Sequence, residues 1–362
     1  MKIPFSDNLH TRLTKVFWIT VAWVIAAIGQ FFSGYSAAVY FNADLSGRDL
    51  PLLFKVTILG GIIAGILGGS LMVFIWERRL RANSYGRALL GILWSFTLIY
   101  FIVGSLIEVF YHSKNPGLPL FDPELWQLVV RHLFQVTSIY HYIIWLLVFL
   151  GTFIFLQVND KYGPGTFRSF LMGKYFRPQR EERIFMFLDL RSSTAIAEKI
   201  GERKYFNFLN DWIRHVTPAI LSHKGEIYQY VGDEVVVSWK MLPGTVDANC
   251  IKCFKHIQSI LKDQESYYNE SYGVIPKFKA GLHCGHVMTG EIGVVKRDIA
   301  FSGDVLNTTS RIQSKCNELG VNILMSKGLA DLLTFNGNGF KPKPMGEMVL
   351  RGKEQKLRLV TF

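Results

Sequence analysis

The sequence predicts an all-α transmembrane domain of four helices followed by a domain of mixed α-helices and β-strands. Long apolar runs dominate the first 160 or so residues, whereas the chain after about Gly163 mixes charged residues, glycine and short apolar stretches. A chain of 362 residues, 49% of them hydrophobic, is long enough for two domains. We place a transmembrane domain at 1–159, a transmission linker at 160–181 and the second domain at 182–362.

Four segments of the first domain are long and apolar enough to cross a membrane. The hydrocarbon core of a bilayer is about 30 Å thick, which about twenty helical residues span. The predicted spans lie near 16–40, 52–76, 88–110 and 134–157. We expect the first to remain as an anchor, because it is long and is followed by no convincing signal-peptide cleavage site.

Basic residues are concentrated before the first span and between the second and third spans. They are Lys2, Arg12 and Lys15, and then Arg78, Arg79, Arg81 and Arg87. The other two loops contain more Pro, Asp and Glu, so the basic loops are expected in the cytoplasm, as is the second domain after an even number of spans. This predicts a multi-pass protein of a cell inner membrane or plasma membrane. The net charge of +12 favours contact with anionic lipid, and no nucleic-acid-binding module is recognisable.

A glycine strip in the second span leaves two interpretations open. Gly61, Gly65 and Gly69 repeat every four residues, so they lie on one helix face and allow another helix to approach closely. The strip suits a dimer contact between two chains, and it equally suits packing within one four-helix bundle.

Histidines near the ends of the spans also leave two interpretations open. His112 follows the third span, His132 precedes the fourth, and the fourth contains Tyr140-His141-Tyr142. Ionisable side chains within membrane segments often have a function, which suggests a haem or other cofactor. The alternative is ordinary hydrogen bonding between neighbouring helices.

Two aspartates of the second domain follow strand-like segments. Residues 183–189 form a continuous apolar run that ends at Asp189, as is typical of a buried central strand. Two β-rich runs flank Gly232-Asp233, which is typical of a tight hairpin. Either acid alone is weak evidence, because aspartates often occupy turns and cap helices. Together they could hold a divalent metal ion.

A third polar pair lies further along the chain. The stretch from Phe301 to Gln313 begins as a turn and continues as a helix, on which Asn307 and Arg311, four residues apart, share one face. The two side chains could reach a phosphate or a ribose together, although by themselves they would be read as an ordinary surface pair.

The order and spacing of four motifs resemble the catalytic domain of class III adenylate and guanylate cyclases over about 182–362. These motifs are Phe187–Thr194, Gly232-Asp233, Gly281–Gly285 and Gly303–Arg311. The resemblance implies an α+β domain with a ferredoxin-like βαββαβ core, which pairs head to tail as a homodimer. It also implies cyclisation of a nucleoside triphosphate, in which the 3′-hydroxyl attacks the α-phosphate and releases pyrophosphate, with two Mg²⁺ or Mn²⁺ ions per active site.

The resemblance also implies roles for individual residues. Asp189 and Asp233 match the metal-binding aspartates, and the backbone carbonyl of Leu190 is a further metal ligand. Asn307 and Arg311 match the pair that orients the ribose and stabilises the transition state, supplied by the opposite subunit. Lys353, in a shorter and weaker motif, matches the lysine that binds the terminal phosphate.

The base-recognition positions depart from the family pattern. Adenylate cyclases commonly have lysine, and guanylate cyclases glutamate, where this chain has Gln229, and adenylate cyclases usually have Asp or Thr where it has Ala300. A glutamine amide both donates and accepts hydrogen bonds, so it could read either purine. We favour ATP because bacterial membrane cyclases of this type are usually described as adenylate cyclases.

Three functions other than an adenylate cyclase are conceivable for such a chain. A guanylate cyclase would differ only at the base pocket. A catalytically silent, cyclase-like membrane sensor would not need to retain both the acidic pair and the Asn307/Arg311 pair. A transporter is disfavoured because no charged residue lies deep inside a span. The short external loops favour a lipid, a small apolar ligand or another membrane protein as the unknown partner of the membrane domain.

Overall fold

The computed structural model describes residues 9–45, 48–80, 85–162, 173–295, 297–335, 341–349 and 356–362. The chain divides into two compact units, Met1–Lys161 and Tyr162–Phe362. The charged residues Lys2 and Arg81, on which the predicted orientation partly rests, lie outside the described residues. The orientation of the chain in the membrane therefore stays a prediction.

Among the described residues, the regular elements of the first unit are all helices. Its helices are α1 (Leu9–Tyr40), α2 (Leu50–Ser70), α3 (Glu77–Leu80), α4 (Tyr85–Lys114), α5 (Pro123–Leu133) and α6 (Val136–Tyr162), with a π-helical segment, Leu71–Trp76, between α2 and α3. Among the described residues, four helical stretches are long and apolar enough to cross a membrane: Thr11–Tyr40, Leu50–Trp76, Leu89–Lys114 and Val136–Asn159. The prediction of four long apolar helices is confirmed, and they indicate a multi-pass membrane protein.

Large apolar side chains form the core of this helical unit. Trp23, Trp76, Phe96 and Phe149 are among its buried residues. The indole Nε1 of Trp23 donates a hydrogen bond to Thr152 Oγ1 at 3.0 Å, which joins α1 to α6. A polar group in a lipid environment needs such an internal partner, because no water is present to replace it.

The glycine strip of α2 packs against α1 of the same chain. A Cβ atom added at Gly65 would lie 2.7 Å from the Cα of Thr20, and one added at Gly61 would lie 3.1 Å from the Cβ of Ala27. These distances leave no room for a side chain, so the glycines allow the two helices to approach closely. Of the two interpretations of the strip, the structure shows packing within one bundle.

Helix α5 lies in a region whose composition predicts a loop, and the structure corrects that prediction. Its first turn contains Pro123, and the side chain of Asp122 accepts a hydrogen bond from the backbone N–H of Glu124 at 2.8 Å, as an N-cap does. Leu125 and Val129, one turn apart, are buried. The apolar stripe is only 11 residues long, so it is too short to be recognised as a span.

The second unit combines a mixed sheet with helices, which confirms the predicted α+β class. Its strands are β1 (Gln179–Leu190), β2 (Glu226–Val231), β3 (Glu234–Lys240), β4 (Phe278–Ile292), β5 (Asp298–Ser302), β6 (Ile323–Ser326), β7 (Lys343–Val349) and β8 (Lys356–Thr361). Its helices are α7 (Ser193–Ile200), α8 (Glu202–Ser222), α9 (Met241–Thr245), α10 (Asn249–Asp263), α11 (Glu265–Tyr272), α12 (Asp304–Glu318) and α13 (Lys327–Leu332).

The described strands lie in the order β2-β3-β1-β4-β6-β8-β7, and β5 pairs with β4. Strand β1 is antiparallel to both β3 and β4, whereas β6 is parallel to β4. Strands β1 to β4, with the helices that connect them, therefore form the ferredoxin-like βαββαβ core that the resemblance implies. Strands β5 to β8, which extend this core, were not predicted from the sequence.

Strand β1 is covered on both faces, which explains its continuous apolar run. Ile184, Met186 and Leu188 belong to the main core with α8 and α10. Phe185 and Phe187, whose side chains point to the opposite face, pack in a smaller cluster with residues of β3, β4 and α12. Because alternate residues of a strand share a face, the side chain of Asp189 lies on the same face of β1 as Phe185 and Phe187. This is the face that α12 covers.

The predicted transmission linker, 160–181, overlaps the end of α6 and the start of β1. Helix α6 continues to Tyr162 and β1 begins at Gln179, four residues before the predicted start of the strand. Residues 163–172 lie outside the described residues. The role of this segment in transmission stays a prediction.

Candidate active site

The carboxylate of Asp189 lies at the end of β1 between a lysine and an amide. Lys279 is directly opposite Asp189 in the β1–β4 register, and its Nζ is 3.2 Å from Asp189 Oδ2. Gln313, on α12, donates a hydrogen bond from Nε2 to the same oxygen at 2.7 Å. Both partners restrict the orientation of the Asp189 side chain. Neither was identified from the sequence, because strand register and helix packing bring them to this place.

Gly281 allows α12 to come close enough for Gln313 to reach Asp189. A Cβ atom added at Gly281 would lie 2.6 Å from the Cα of Gln313, closer than Cβ atoms approach backbone in folded proteins. The glycine is part of one of the four motifs, and close helix–strand approach is the physical reason for it.

We expect Gly281→Ala to destabilise the second unit by about 1–3 kcal/mol, as overpacking of a core does, and to reduce activity by displacing α12. Gly328→Ala is the matched control, because nothing lies within 4 Å of a Cβ at that position. The measurement is thermal unfolding of both purified variants beside wild type. An equal melting temperature for all three proteins would contradict the packing role of Gly281.

Asp233 lies at the tip of the hairpin formed by β2 and β3. The turn has only two residues between the paired Val231 and Glu234, and Gly232 has a φ of +62°, as the first central residue of such a turn requires. Asp233 Oδ2 is buried and has no hydrogen-bond partner among the described residues. A buried carboxylate oxygen without a partner is unfavourable in the metal-free protein.

The carboxyl groups of Asp189, Asp233 and Glu234, which together form the acidic edge of the sheet, interact electrostatically. Burial raises the pKa of Asp189, the nearby Asp233 carboxylate raises it further, and Lys279 opposes both effects. Burial, followed by the charges of Asp189 and Asp233, raises the pKa of Glu234 to about 7. Glu234 was not identified as a site residue from the sequence, although its position directly after Asp233 was a signal that it lies near the pair.

These residues fit a divalent cation. The charge of Asp233 raises the pKa of Asp189, and the charges of both raise that of Glu234, so the three carboxyl groups lie near one another; Lys279 opposes these effects only in part, and the buried Asp233 Oδ2 has no hydrogen-bond partner among the described residues. Oxygen donors of this kind suit Mg²⁺ and Mn²⁺. Leu190 is 2% exposed, with its side chain in the main core, so only its backbone is suited to contact an ion.

Asn307 and Arg311 lie on the face of α12 that points away from the sheet. Val305, Thr309 and Ile312 form the buried face of the helix. Asn307 is exposed and Arg311 is partly exposed. Successive residues of a helix are 100° apart, so these two side chains point away from the Gln313 side, and α12 does not present them to Asp189 of the same chain.

The two predicted base-recognition positions, Gln229 and Ala300, lie on β2 and β5, and a contact between residues next to them joins these strands. The backbone N–H of Phe301, on β5, donates a hydrogen bond to Tyr228 Oη, on β2, at 3.2 Å, and the two rings are 4.8 Å apart. Gln229 and Ala300 are adjacent in sequence to this contact. Gln229 is exposed beside a bulge in β2, and Ala300 pairs with Gly290 of β4. Lys353, the predicted phosphate ligand, lies outside the described residues.

The fold and the acidic edge of its sheet define the second unit as a nucleotidyl cyclase domain, which is attached to a membrane anchor. Residues 177–362 match the family described as "Adenylate and Guanylate cyclase catalytic domain". The chain belongs to the adenylate and guanylate cyclase family, as its four motifs predicted. Members of this family act on nucleoside triphosphates in a dimeric arrangement and generally use divalent metal ions.

Individual relatives support the same assignment. The chain is 33% identical over 369 residues to "Adenylate cyclase 2" of Rhizobium meliloti (strain 1021), covering 98% of this chain and 92% of the relative. It is 27% identical over 153 residues to an adenylate cyclase of Anabaena cylindrica, covering 40% of this chain and 29% of that protein. A solved bacterial light-regulated adenylyl cyclase has a TM-score of 0.51 at 21% identity, covering 60% of this chain and 63% of the other, and shows the shared fold.

Proposed function

We propose that the protein is a membrane-bound adenylate cyclase, which converts ATP to cyclic AMP and pyrophosphate at a homodimer interface. The observation that carries the proposal is the partly buried acidic edge, where Asp189 and Asp233 meet and the buried Asp233 Oδ2 has no hydrogen-bond partner among the described residues. The relative of similar length from Rhizobium meliloti, which carries the name adenylate cyclase, supports ATP as the substrate.

In this proposal Asp189, Asp233 and the backbone carbonyl of Leu190 hold two Mg²⁺ or Mn²⁺ ions. The chemistry that these ions supply is a lower pKa for the attacking 3′-hydroxyl and neutralisation of the triphosphate charge. Gln313 and Lys279 position the Asp189 carboxylate. Lys279 also reduces the repulsion between the carboxylates, so that they can lie close together before a metal ion binds.

A homodimer completes the site in the proposal. Asn307 orients the ribose, and Arg311 stabilises the negative charge that develops on the α-phosphate. The direction of these side chains on α12 supports a partner subunit as the place where they act. Each subunit then provides the acidic edge of one site and the Asn307/Arg311 pair of the other. Lys353 binds the terminal phosphate.

The membrane domain has an anchoring and regulatory role in the proposal. The positive-inside rule places the basic loops and the second unit in the cytoplasm, at a bacterial inner membrane or a plasma membrane. Arg12 and Lys15, which were predicted to precede the first span, lie in the first turns of α1, at the end of the helix that this rule assigns to the cytoplasm. The spans would then respond to a lipid, a small apolar ligand or another membrane protein.

The test is nucleotide turnover by detergent-purified full-length protein with Mg²⁺ or Mn²⁺. ATP and GTP are supplied separately, and both cyclic products are measured. Formation of cyclic AMP, with little cyclic GMP, is the expected result. Predominant cyclic GMP would establish the alternative, a guanylate cyclase. The absence of both products would favour a catalytically silent membrane sensor.

Position 229 offers a sharper test of base selection. We expect Gln229→Glu to shift the ATP/GTP ratio of kcat/KM towards GTP by about tenfold, and Gln229→Lys to shift it towards ATP by a similar factor. A carboxylate only accepts hydrogen bonds and suits the N1–H and N2–H donors of guanine, whereas an ammonium group only donates and suits N1 of adenine. The two variants control for each other, and equal ratios in both would rule out contact between residue 229 and the base.

A further inference from the structure

Three side chains of the helical unit converge near the end of α4. Glu108 and His112 are one turn apart on α4, and His132 is on α5. His112 Nε2 is 3.3 Å from Glu108 Oε2, and His132 Nδ1 is 3.8 Å from the same oxygen. One donor atom from each of the three side chains lies within 4.8 Å of the others. None of the three has a role in the proposed cyclase chemistry.

The histidines of this cluster lack hydrogen-bond partners. His112 is only 7% exposed, and both of its ring nitrogens are buried without a hydrogen bond to any described residue. Nδ1 of His132 is also buried without one. The approach of Glu108 to His112 is close enough for an ion pair, but it is not directed as a hydrogen bond. Buried polar atoms normally have partners, so this arrangement indicates a missing ligand.

The donor set and its spacing match a small transition-metal ion. Zinc binds imidazole nitrogen at about 2.0–2.1 Å and carboxylate oxygen at about 2.0–2.2 Å, so neighbouring ligands in a tetrahedral site are about 3.4 Å apart. The distances from Glu108 to the two histidines, 3.3 and 3.8 Å, are close to this value. The fourth position would be taken by water, because the side chain of His132 is 44% exposed.

The backbone around the cluster holds the two histidines in place. The rings of His112 and His132 are 5.3 Å apart, with an angle of 36° between their planes. The carbonyl of His132 accepts a hydrogen bond from Ser138 Oγ, which fixes the end of α5 against the start of α6. A Cβ atom added at Gly104 would lie 3.2 Å from Leu133, so α4 and α5 pack closely beside the site.

We propose that Glu108, His112 and His132 form a binding site for a zinc-class divalent transition-metal ion, which ties α5 to the end of α4. The three donors converge on one point. Haem ligands, by contrast, lie on opposite sides of a macrocycle, so the geometry favours a single small ion over the haem considered above. The site is separate from the acidic edge of the cyclase domain, whose oxygen donors suit Mg²⁺.

Zinc titration of the metal-stripped, full-length protein tests the proposal. The titration is carried out by calorimetry in an excess of Mg²⁺, which occupies the oxygen-rich sites of the second unit. Wild type is expected to bind one Zn²⁺ per chain with a higher melting temperature in its presence. His132→Ala and Glu108→Gln are expected to weaken binding by more than about tenfold. Co²⁺, used in place of Zn²⁺, should give visible absorption bands typical of tetrahedral coordination in wild type and not in His132→Ala.

The matched control is His286→Ala, which removes an exposed histidine of β4, in the second unit. It should bind Zn²⁺ and Co²⁺ as wild type does. Glu108→Gln keeps the size of the side chain, so a loss of metal binding in this variant is not expected to result from misfolding. Its melting temperature without metal, compared with that of wild type, checks this. Equal Zn²⁺ stoichiometry and affinity in wild type, His132→Ala and Glu108→Gln would overturn the proposal. Absence of binding to the wild-type protein would overturn it as well.

Discussion

Asp233→Asn is expected to reduce cyclase turnover by at least about a thousandfold, because it removes a carboxylate proposed to hold metal ions whose effect on the transition state is worth several kcal/mol. The same change should stabilise the metal-free second unit. Asp233 Oδ2 is buried without a hydrogen-bond partner among the described residues, and the charge of Asp233 raises the pKa of both Asp189 and Glu234. Relief of about 1 kcal/mol of repulsion corresponds to an increase of about 2–4 °C in melting temperature.

The two expectations are checked on one preparation, by cyclic nucleotide formation with Mn²⁺ and by thermal unfolding with a chelator present. Asp331→Asn is the control, because Asp331 is an exposed aspartate of α13 that pairs with Lys327. It should change neither property appreciably. Loss of activity accompanied by a lower melting temperature in Asp233→Asn would indicate structural damage instead of metal loss. Retained activity would remove Asp233 from the proposed site.

Co-expression of two inactive variants is expected to restore activity. Asp233→Asn removes the acidic edge and Arg311→Ala removes the proposed transition-state ligand, so homodimers of either variant contain two defective sites. A heterodimer contains one site with both changes and one intact site. Random pairing in a two-fold symmetric dimer makes half of the dimers heterodimers, and activity should return to about a quarter of the wild-type level.

Different affinity tags on the two variants allow the heterodimer to be purified and its presence demonstrated. The purified heterodimer should have about half of the wild-type turnover, since one of its two sites is intact. An inactive heterodimer would show that Asp233 and Arg311 act within the same subunit. In that case α12 would have to rearrange, because Arg311 points away from the Gln313 side of the helix.

Several site residues could be predicted from the chain because local patterns identify them. Asp189 ends a continuous apolar run, and Asp233 follows a glycine in a two-residue turn, so sequence periodicity alone indicates where each side chain lies. Asn307 and Arg311 are four residues apart on a helix, which places them on one face without knowledge of the sheet. Their roles came from the resemblance to the cyclase family.

Other residues of the site could not be predicted because their positions depend on contacts between distant segments. Lys279 faces Asp189 only through the register of β1 and β4, and Gln313 reaches the same carboxylate only because Gly281 admits α12 close to the sheet. Nothing near Lys279 in the sequence specifies that register. Glu234 has a raised pKa for the same reason, since burial depends on the assembled sheet.

The sequence by itself determined the division into four apolar spans and an α+β domain, because span length and strand periodicity are properties of short, continuous segments. Only the tertiary structure decided that the α2 glycines pack on α1, and that His112 and His132 meet Glu108. His132 reaches Glu108 across a turn and a separate helix. The positions of such side chains follow from the burial of apolar faces that are far apart in the chain, which no local pattern records.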